Sequence, residues 1–315
     1  MIKSHLSPPG AIRIKRQELG DMSMGLGFIG LGNMGQPMAG RLLDAGFPLT
    51  IYDLIKAKTD DLAKRGARVA GSPREVAAQS DVTITMIPDG PALKAVALGD
   101  NGILAGAQQG SIFIDMSTVD PESSSEVAKA ADERGVKMLR APVSGSTVLA
   151  AEGKLTIFAS GDKEAYEKCL GIFSTMGQKT FHVGTGEKAR YLKLVLNMMV
   201  GTTCQMLAEA LTFGEKAGLA WEQLLEIIGS SVVASPLVTY KIPPLSKREF
   251  KAAFTASMMA KDFDLALAAG QRLGAPMPTT SLVRQFLGML QATGRGELDF
   301  SALLLLMEEL GGIKN

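Results

Sequence analysis

The stretch GFIGLGNMGQPMAGRLLDAG, residues 27–46, decides how the first half of the chain is read. A short apolar run gives way to Gly30-Leu31-Gly32-Asn33-Met34-Gly35, and a helical pattern follows. A G-x-G-x-x-G string alone carries little information. Between a strand and a helix it reads as the phosphate-binding turn of a dinucleotide-binding unit. There Gly30 permits the tight turn, Gly32 lets the backbone approach a pyrophosphate, and Gly35 allows the helix to pack on the strand. Backbone N–H groups along the loop and at the helix start, those of Leu31, Asn33 and Met34 included, face the phosphates. Asp53 ends the second strand, 21 residues after Gly32. An acid at that distance binds the adenosine ribose hydroxyls and repels a 2′-phosphate. Lys56 and Lys58 follow, with no arginine at the next position, so NAD is expected, with NADP as the alternative. Asp53 also suits a helix N-cap.

Working outward, residues 25–30, 48–53, 81–87 and 111–117 read as strands, separated by helical patterns with start signals. Ser72-Pro73-Arg74-Glu75 forms a capping box with proline at the first helical position, and Asp120-Pro121 opens another helix. This alternation predicts a parallel sheet covered on both faces. Residues 155–160 and 179–184 look like further strands extending that sheet. After Gly186 only helical segments are evident: 187–217, 221–229, 257–273, about 279–293, and 299–310, with prolines 236, 243 and 244 breaking the middle. The expected fold is α/β: a doubly wound parallel sheet of the Rossmann type over 24–185, then an all-α domain over 186–315. Residues 1–23 read as a disordered extension.

Composition bounds the function. The chain has 315 residues, 46% of them hydrophobic, and a formal net charge of +1. That balance gives no reason to expect nucleic acid or an anionic membrane as partner. A run of about 18 uncharged apolar residues, as a membrane span requires, is not found. Two cysteines, Cys169 and Cys204, have no metal-ligand spacing, and free thiols suit the cytoplasm. With two histidines, His5 and His182, a histidine relay or multi-histidine metal site has little material, and no metal is expected.

Two loops could hold a carboxylate. DMSTVDP (115–121) offers the hydroxyls of Ser117 and Thr118, and APVSGS (141–146) offers Ser144, Gly145 and Ser146. Ligands of doubly wound sheets lie beyond the carboxyl ends of the strands, where both loops belong. Turn chemistry is the plain alternative for each. Lys193 sits in YLKLVLN (191–197), an apolar helical run whose other polar group is Asn197, one turn on. Small residues, Ala189, Gly201 and Cys204, fall near that face, and the apolar residues around it imply a buried helix. A snorkelling lysine, a structural ion pair and a general acid/base all fit the pattern. The last would profit from burial beside a cationic nicotinamide ring, which favours the neutral amine.

Five motifs, GFIGLGNMGQPMA, DMSTVDP, APVSGS, GTGEKARYLKLVLN and AKDFDLALA (260–268), resemble in order those of the β-hydroxyacid (3-hydroxyisobutyrate) dehydrogenases, over about residues 25–312. KLVLNMMVG, APVSGS and GELDFSAL (296–303) look most like the glyoxylate/succinic semialdehyde reductase branch, near 2-hydroxy-3-oxopropionate reductase and 4-hydroxybutyrate dehydrogenase. The chain departs from the usual pattern at Leu196, at Ser146 in place of glycine, and at Arg140 in place of aspartate before APV; Arg140 is expected to face solvent. Tyr52-Asp53-Leu54 replaces the branch's Asn-Arg-Thr, which favours NAD over NADPH. The resemblance implies an oxidoreductase acting on a small hydroxy acid or semialdehyde. It casts Lys193 as general acid/base, Asn197 as its positioner, and Ser117, Ser144, Gly145 and Ser146 as carboxylate ligands. Ile87, Pro88, Thr118 and Lys261 would lie against the cofactor. It implies association through the helical domain into a homodimer or homotetramer. A non-catalytic NAD(P)-binding scaffold and an imine reductase are the other readings; both usually lack the lysine.

Overall fold

A computed structural model describes residues 11–12 and 23–313. The chain divides between Lys193 and Leu194 into two compact units.

The first unit is built on six parallel strands: β2 (Leu26–Ile29), β3 (Leu49–Tyr52), β4 (Arg68–Val69), β5 (Val82–Thr85), β6 (Ile112–Asp115) and β7 (Lys137–Arg140). Their spatial order is β4-β3-β2-β5-β6-β7. The order reverses between β2 and β5, the switch point at which doubly wound sheets bind ligands. Both faces are covered, as a parallel sheet requires. Phe28, Ile51, Ile84 and Ile114 pack with Met38 and Leu42 on one side. Ile29, Phe113 and Met138 pack with Val76, Leu93 and Val127 on the other. The start signals act as expected: Ser72 Oγ accepts from Glu75 N–H at 3.2 Å, and Asp120 Oδ1 accepts from Ser123 N–H at 2.7 Å.

The later strands do not extend this sheet. β9 (Leu155–Ala159) and β10 (Gly177–His182) pair parallel to each other in a separate sheet, with β8 (Val143–Ser144) antiparallel on β9 and β1 (Ala11–Ile12) antiparallel on β10. The edge place beside β6 belongs to β7, a strand the sequence hides behind its terminal charges, Lys137 and Arg140. Past β7 the chain runs through Ala141 and Pro142 into the second sheet. Arg140 bridges Ser160 antiparallel, and β8 then lies antiparallel on β9. The expected disordered extension lies outside the described residues, apart from β1 and Ser23.

The second unit is helical. The long helix Lys188–Lys216 has its residues 188–193 in the first unit and the rest in the second. It begins where the sequence pattern changes, yet the units separate later, because Ala189 and Arg190 are buried in the first unit. Helices Trp221–Ser230, Pro236–Ser246, Ala256–Leu273, Pro278–Ala292 and Leu303–Leu310 complete it. The prolines do not break the middle as expected. Pro236 occupies the start of a helix capped by Ser235, where its missing N–H costs nothing, and Pro243 and Pro244 lie inside the same helix near its end. The long helix is long and apolar enough to cross a membrane, but Cys204, Leu207, Ala208 and Leu211 of it join the core of the second unit. That spacing is a core-facing helical stripe. The helix is not buried all round: Val195, Met199, Met206 and Phe213 are exposed.

Both cysteines are free and buried, and burial pushes each thiol up to about 12, so neither supplies a thiolate at neutral pH. The second unit also contains a buried ion pair, one member of which, Asp299, lies in GELDFSAL. Lys241 pairs with Asp299, and its ammonium lies 4.2 Å from the centre of the Phe300 ring. Asp299 Oδ1 further accepts from Ser301 N–H at 3.0 Å and from Ser301 Oγ at 2.7 Å. Removing one member strands a buried charge. Asp299→Ala is therefore expected to destabilise the protein by about 3–5 kcal/mol, read by urea denaturation. Adding Lys241→Met is expected to restore part of that loss.

Candidate active site

The glycine loop joins β2 to the helix Gly35–Asp44 at the switch point. Gly30 has φ +94°, and a Cβ there would meet the Met86 carbonyl at 2.3 Å. A Cβ on Gly35 would come within 1.9 Å of the Gly30 carbonyl, so helix and turn touch backbone to backbone. A Cβ on Gly32 would meet nothing within 4 Å, so this residue is small toward open space rather than toward protein. No side chain caps the helix start, and no acid lies in its first turn. Gln36 N–H bonds the Gly32 carbonyl at 3.0 Å and Pro37 has no N–H, so an anion here would meet the N–H groups of Gly32 to Gly35. Leu31 departs from expectation: it is buried and its N–H donates to Asp53 rather than standing free for a phosphate, while Asn33 is exposed and Met34 half-buried along the loop.

Asp53 stands beside this loop. Its Oδ2 accepts from Leu31 N–H at 2.7 Å and its Oδ1 from Ile55 N–H at 2.8 Å. It does not cap a helix: the next turn, Lys56–Thr59, starts without a side-chain cap. Two backbone donors fix the carboxylate at the end of β3, where an adenosine ribose would lie. Ile87 and Pro88 follow β5, adjacent to β2, and remain partly or fully exposed, as does part of Thr118 after β6. The open side of Gly32, the uncapped helix start and the oriented carboxylate fit a dinucleotide.

The two carboxylate loops behave differently. Ser144 lies in β8 rather than in a loop. Gly145, at φ +145°, is exposed, and a Cβ there would strike Leu155 at 2.7 Å. Ser146 Oγ accepts from Leu149 N–H at 3.4 Å, capping Thr147–Ala151 while leaving the hydroxyl proton to donate elsewhere. Ser117 departs from expectation. It is fully buried; its hydroxyl donates to Asp115 at 2.6 Å and accepts from Ile87 N–H at 2.9 Å. A group so enclosed does not present itself to a substrate carboxylate, and its bonds hold the loop instead.

Asp115, the first residue of DMSTVDP, is a hub to which the sequence reading gives no role. It is fully buried, takes a bond from Thr85 Oγ1 at 2.5 Å, and pairs with Arg190, itself 1% exposed. Arg190 Nη1 donates to the Ser117 carbonyl at 2.6 Å, and its Nε to Ser124 Oγ at 3.2 Å. Arg140 does not face solvent. It is buried and pairs with Glu187, donating from Nε at 2.7 Å, while Glu187 Oε2 lies 4.0 Å from Arg190 Nε. The signal present in the sequence is an arginine three residues before the lysine and an acid closing an apolar strand.

Lys193 is half-buried on the long helix, at the end of the first unit. Asn197, one turn on, is buried, and its amide nitrogen donates to Asp262. Lys261 Nζ lies 3.1 Å from the other oxygen of Asp262. The small residues flanking the lysine face serve packing rather than ligand space. A Cβ on Gly201 would meet the Phe263 ring at 2.5 Å, and Cys204 lies in the core. Among the described residues no cluster of histidine, cysteine and acidic groups could hold a metal.

Comparisons with known proteins place this geometry. Residues 25–184 match the model for the NAD-binding domain of 6-phosphogluconate dehydrogenase, and residues 184–307 match that for the NAD-binding region of NADP-dependent 3-hydroxyisobutyrate dehydrogenase. The chain is 35% identical to 2-(hydroxymethyl)glutarate dehydrogenase of Eubacterium barkeri, over 93% of its own length and 98% of that protein. It is 34% identical to glyoxylate/succinic semialdehyde reductase 1 of Arabidopsis thaliana, over 89% and 97% respectively. The structure of Mycobacterium tuberculosis 3-hydroxyisobutyrate dehydrogenase with L-serine superposes with a TM-score of 0.83 at 30% identity, covering 90% of this chain and 99% of that one. The chain belongs to the β-hydroxyacid dehydrogenase family, NAD(P)-dependent oxidoreductases acting on CH–OH groups.

Proposed function

We propose that this protein transfers hydride reversibly between NAD(H) and a short acid bearing a hydroxyl or an aldehyde, of the 2-hydroxy-3-oxopropionate, 3-hydroxyisobutyrate or 4-hydroxybutyrate type, with Lys193 as general acid/base. The observation that carries it is the pairing of a dinucleotide turn, closed by Asp53, with a helix that brings Lys193 and an anchored Asn197 one turn apart. Among the described residues neither cysteine offers a thiolate and His182 is engaged with the Gly161 carbonyl at 3.1 Å, which supports the lysine as the proton carrier. Relatives named for hydroxymethylglutarate and for glyoxylate and succinic semialdehyde support a small carboxylate as substrate.

In the reducing direction the bound nicotinamide supplies the hydride. Lys193, as ammonium, donates a proton to the oxygen on which negative charge develops; in the reverse direction the neutral amine takes the hydroxyl proton. Asn197, its amide nitrogen held by Asp262, orients the reacting group. The N–H groups around exposed Gly145 and the hydroxyls of Ser144 and Ser146 bind the carboxylate, so that orientation contributes much of the rate. Thr118 and Ile87-Pro88 line the cofactor, with Lys261 as a further contact. NAD is preferred because the Asp53 carboxylate repels a 2′-phosphate. Two copies associate through the helical unit, covering Met199, Met206 and Phe213. Buried free thiols suit a reducing cytoplasm.

Three measurements test this. Glyoxylate and the semialdehydes of tartronate, methylmalonate and succinate are mixed with NADH, and the loss of its absorbance is followed. At least one is expected to turn over, and Lys193→Ala to lower kcat by roughly 10²–10⁴-fold with NADH still bound. An unchanged rate in that variant sinks the mechanism, and no turnover of any compound favours the scaffold reading. Asp53→Asn keeps an acceptor for Leu31 N–H while removing the charge. It is expected to reduce the NADH-over-NADPH preference in kcat/KM by roughly tenfold, about 1.4 kcal/mol, the scale of one lost charge repulsion. Phe213→Glu is expected to shift the species seen by light scattering to a smaller mass; a native protein that runs as a monomer contradicts the association.

A further inference from the structure

The buried charges around Arg190 lie outside the chemistry just described, yet they join the elements that carry it. One guanidinium reaches the Ser117 carbonyl, Ser124 Oγ and the Asp115 carboxylate. Through Asp115 it reaches Thr85 at the end of β5, and through Ser117 it reaches Ile87 N–H. A single side chain on the long helix therefore grips both strand ends beside the switch point and the helix Pro121–Glu133. Lys193 follows at i+3, a neighbour on the same helix surface.

We propose that Arg190 is a positioning residue for the hydride-transfer reaction: it clamps the first turns of the lysine-bearing helix to the loops after β5 and β6 and thereby sets where the Lys193 ammonium is held. This rests on the reading of Lys193 as the acid/base group. A buried ion pair is no strong source of stability, since packed apolar residues of the same volume serve as well or better. What the pair supplies is direction. Arginine presents a rigid planar fork, and here three of its nitrogens meet three fixed acceptors on two elements of the first unit. An apolar contact would allow the helix to slide or turn. An error of about 1 Å at a reacting group lowers rates by about a hundredfold.

The charges around the clamp are balanced within the same unit. Arg140, where the family resemblance leads one to expect an aspartate, is neutralised by Glu187, three residues before Arg190. Two cations and two anions thus run Arg140–Glu187–Arg190–Asp115 from the end of β7 to the end of β6. The departure at Arg140 becomes intelligible as a second tether for the same helix start.

The complete chain is prepared as Arg190→Met and Arg190→Lys. Rates are measured on the best semialdehyde of the panel, NADH affinity by fluorescence titration, and backbone hydrogen exchange by mass spectrometry. For Arg190→Met, kcat is expected to fall at least tenfold while NADH affinity stays within about twofold. Amides of residues 188–196 and 115–121 are expected to lose protection together. Arg190→Lys, which keeps the charge without the fork, is expected to restore stability in a thermal melt but not kcat. Native kcat in either variant, a rate loss explained wholly by weaker NADH binding, or unchanged protection at 188–196 overturns the proposal. Where Arg190→Met does not fold, Ser124→Ala removes one acceptor gently and is expected to lower kcat severalfold; an unchanged rate and exchange pattern overturn it equally. Should the native chain turn over no semialdehyde, the acid/base reading fails by itself. The exchange comparison still decides whether Arg190 holds the helix, and unchanged protection there rejects the clamp.

Discussion

The first unit depends on one buried charge pair. Asp115 and Arg190 are removed from water almost completely, which is tolerable only if every donor and acceptor finds a partner. That requirement recruits Thr85, Ser117 and Ser124 and fixes the ends of β5 and β6 relative to the start of the long helix. The Ser117 hydroxyl, on a loop that could have faced a ligand, is drawn into this lattice. The surrounding apolar layers supply cohesion; the polar lattice supplies register. The second unit repeats the device on a smaller scale, with Lys241 and Asp299 enclosed by Phe300 and Ser301.

The cofactor end is organised by a different constraint, backbone proximity. Gly35 lies against the Gly30 carbonyl, and Gly30 against the Met86 carbonyl, so turn, helix and neighbouring strand are in contact with no side chain between them. Gly32 alone of the three glycines is small toward empty space. Two glycines of the motif are thus demanded by the protein's own backbone, and the third meets no such demand.

Much of this is legible in the sequence, for physical reasons. The strands at 26–29, 49–52, 82–85 and 112–115 are apolar runs bounded by turn residues, and the glycine loop and Asp53 act through local spacing. The features that escape a sequence reading depend on partners distant in the chain. β7 carries a terminal arginine whose burial makes sense only with Glu187, 47 residues later. The second sheet arises from a change of direction at Pro142 that leaves the apolar pattern unchanged. The long helix looks buried throughout in the sequence, because apolarity alone does not reveal which of its sides a core covers. Arg190 looks like any surface arginine, since its three partners lie 66 to 75 positions away. The helix Pro236–Ser246 is hidden by its prolines, since Pro243 and Pro244 each remove an N–H from the helical ladder.

The bond from Leu31 N–H to Asp53 has a consequence for redesign. The carboxylate on which the proposed NAD preference rests is also an acceptor that pins the glycine loop. A swap to arginine, the obvious route to NADP, would install the wanted cation and orphan a backbone donor at the heart of the turn. Conversion of cofactor preference in this scaffold therefore calls for at least two changes, one for the phosphate and one to give Leu31 N–H a new acceptor. Single substitutions that ignore the second are expected to trade selectivity for a loosened loop.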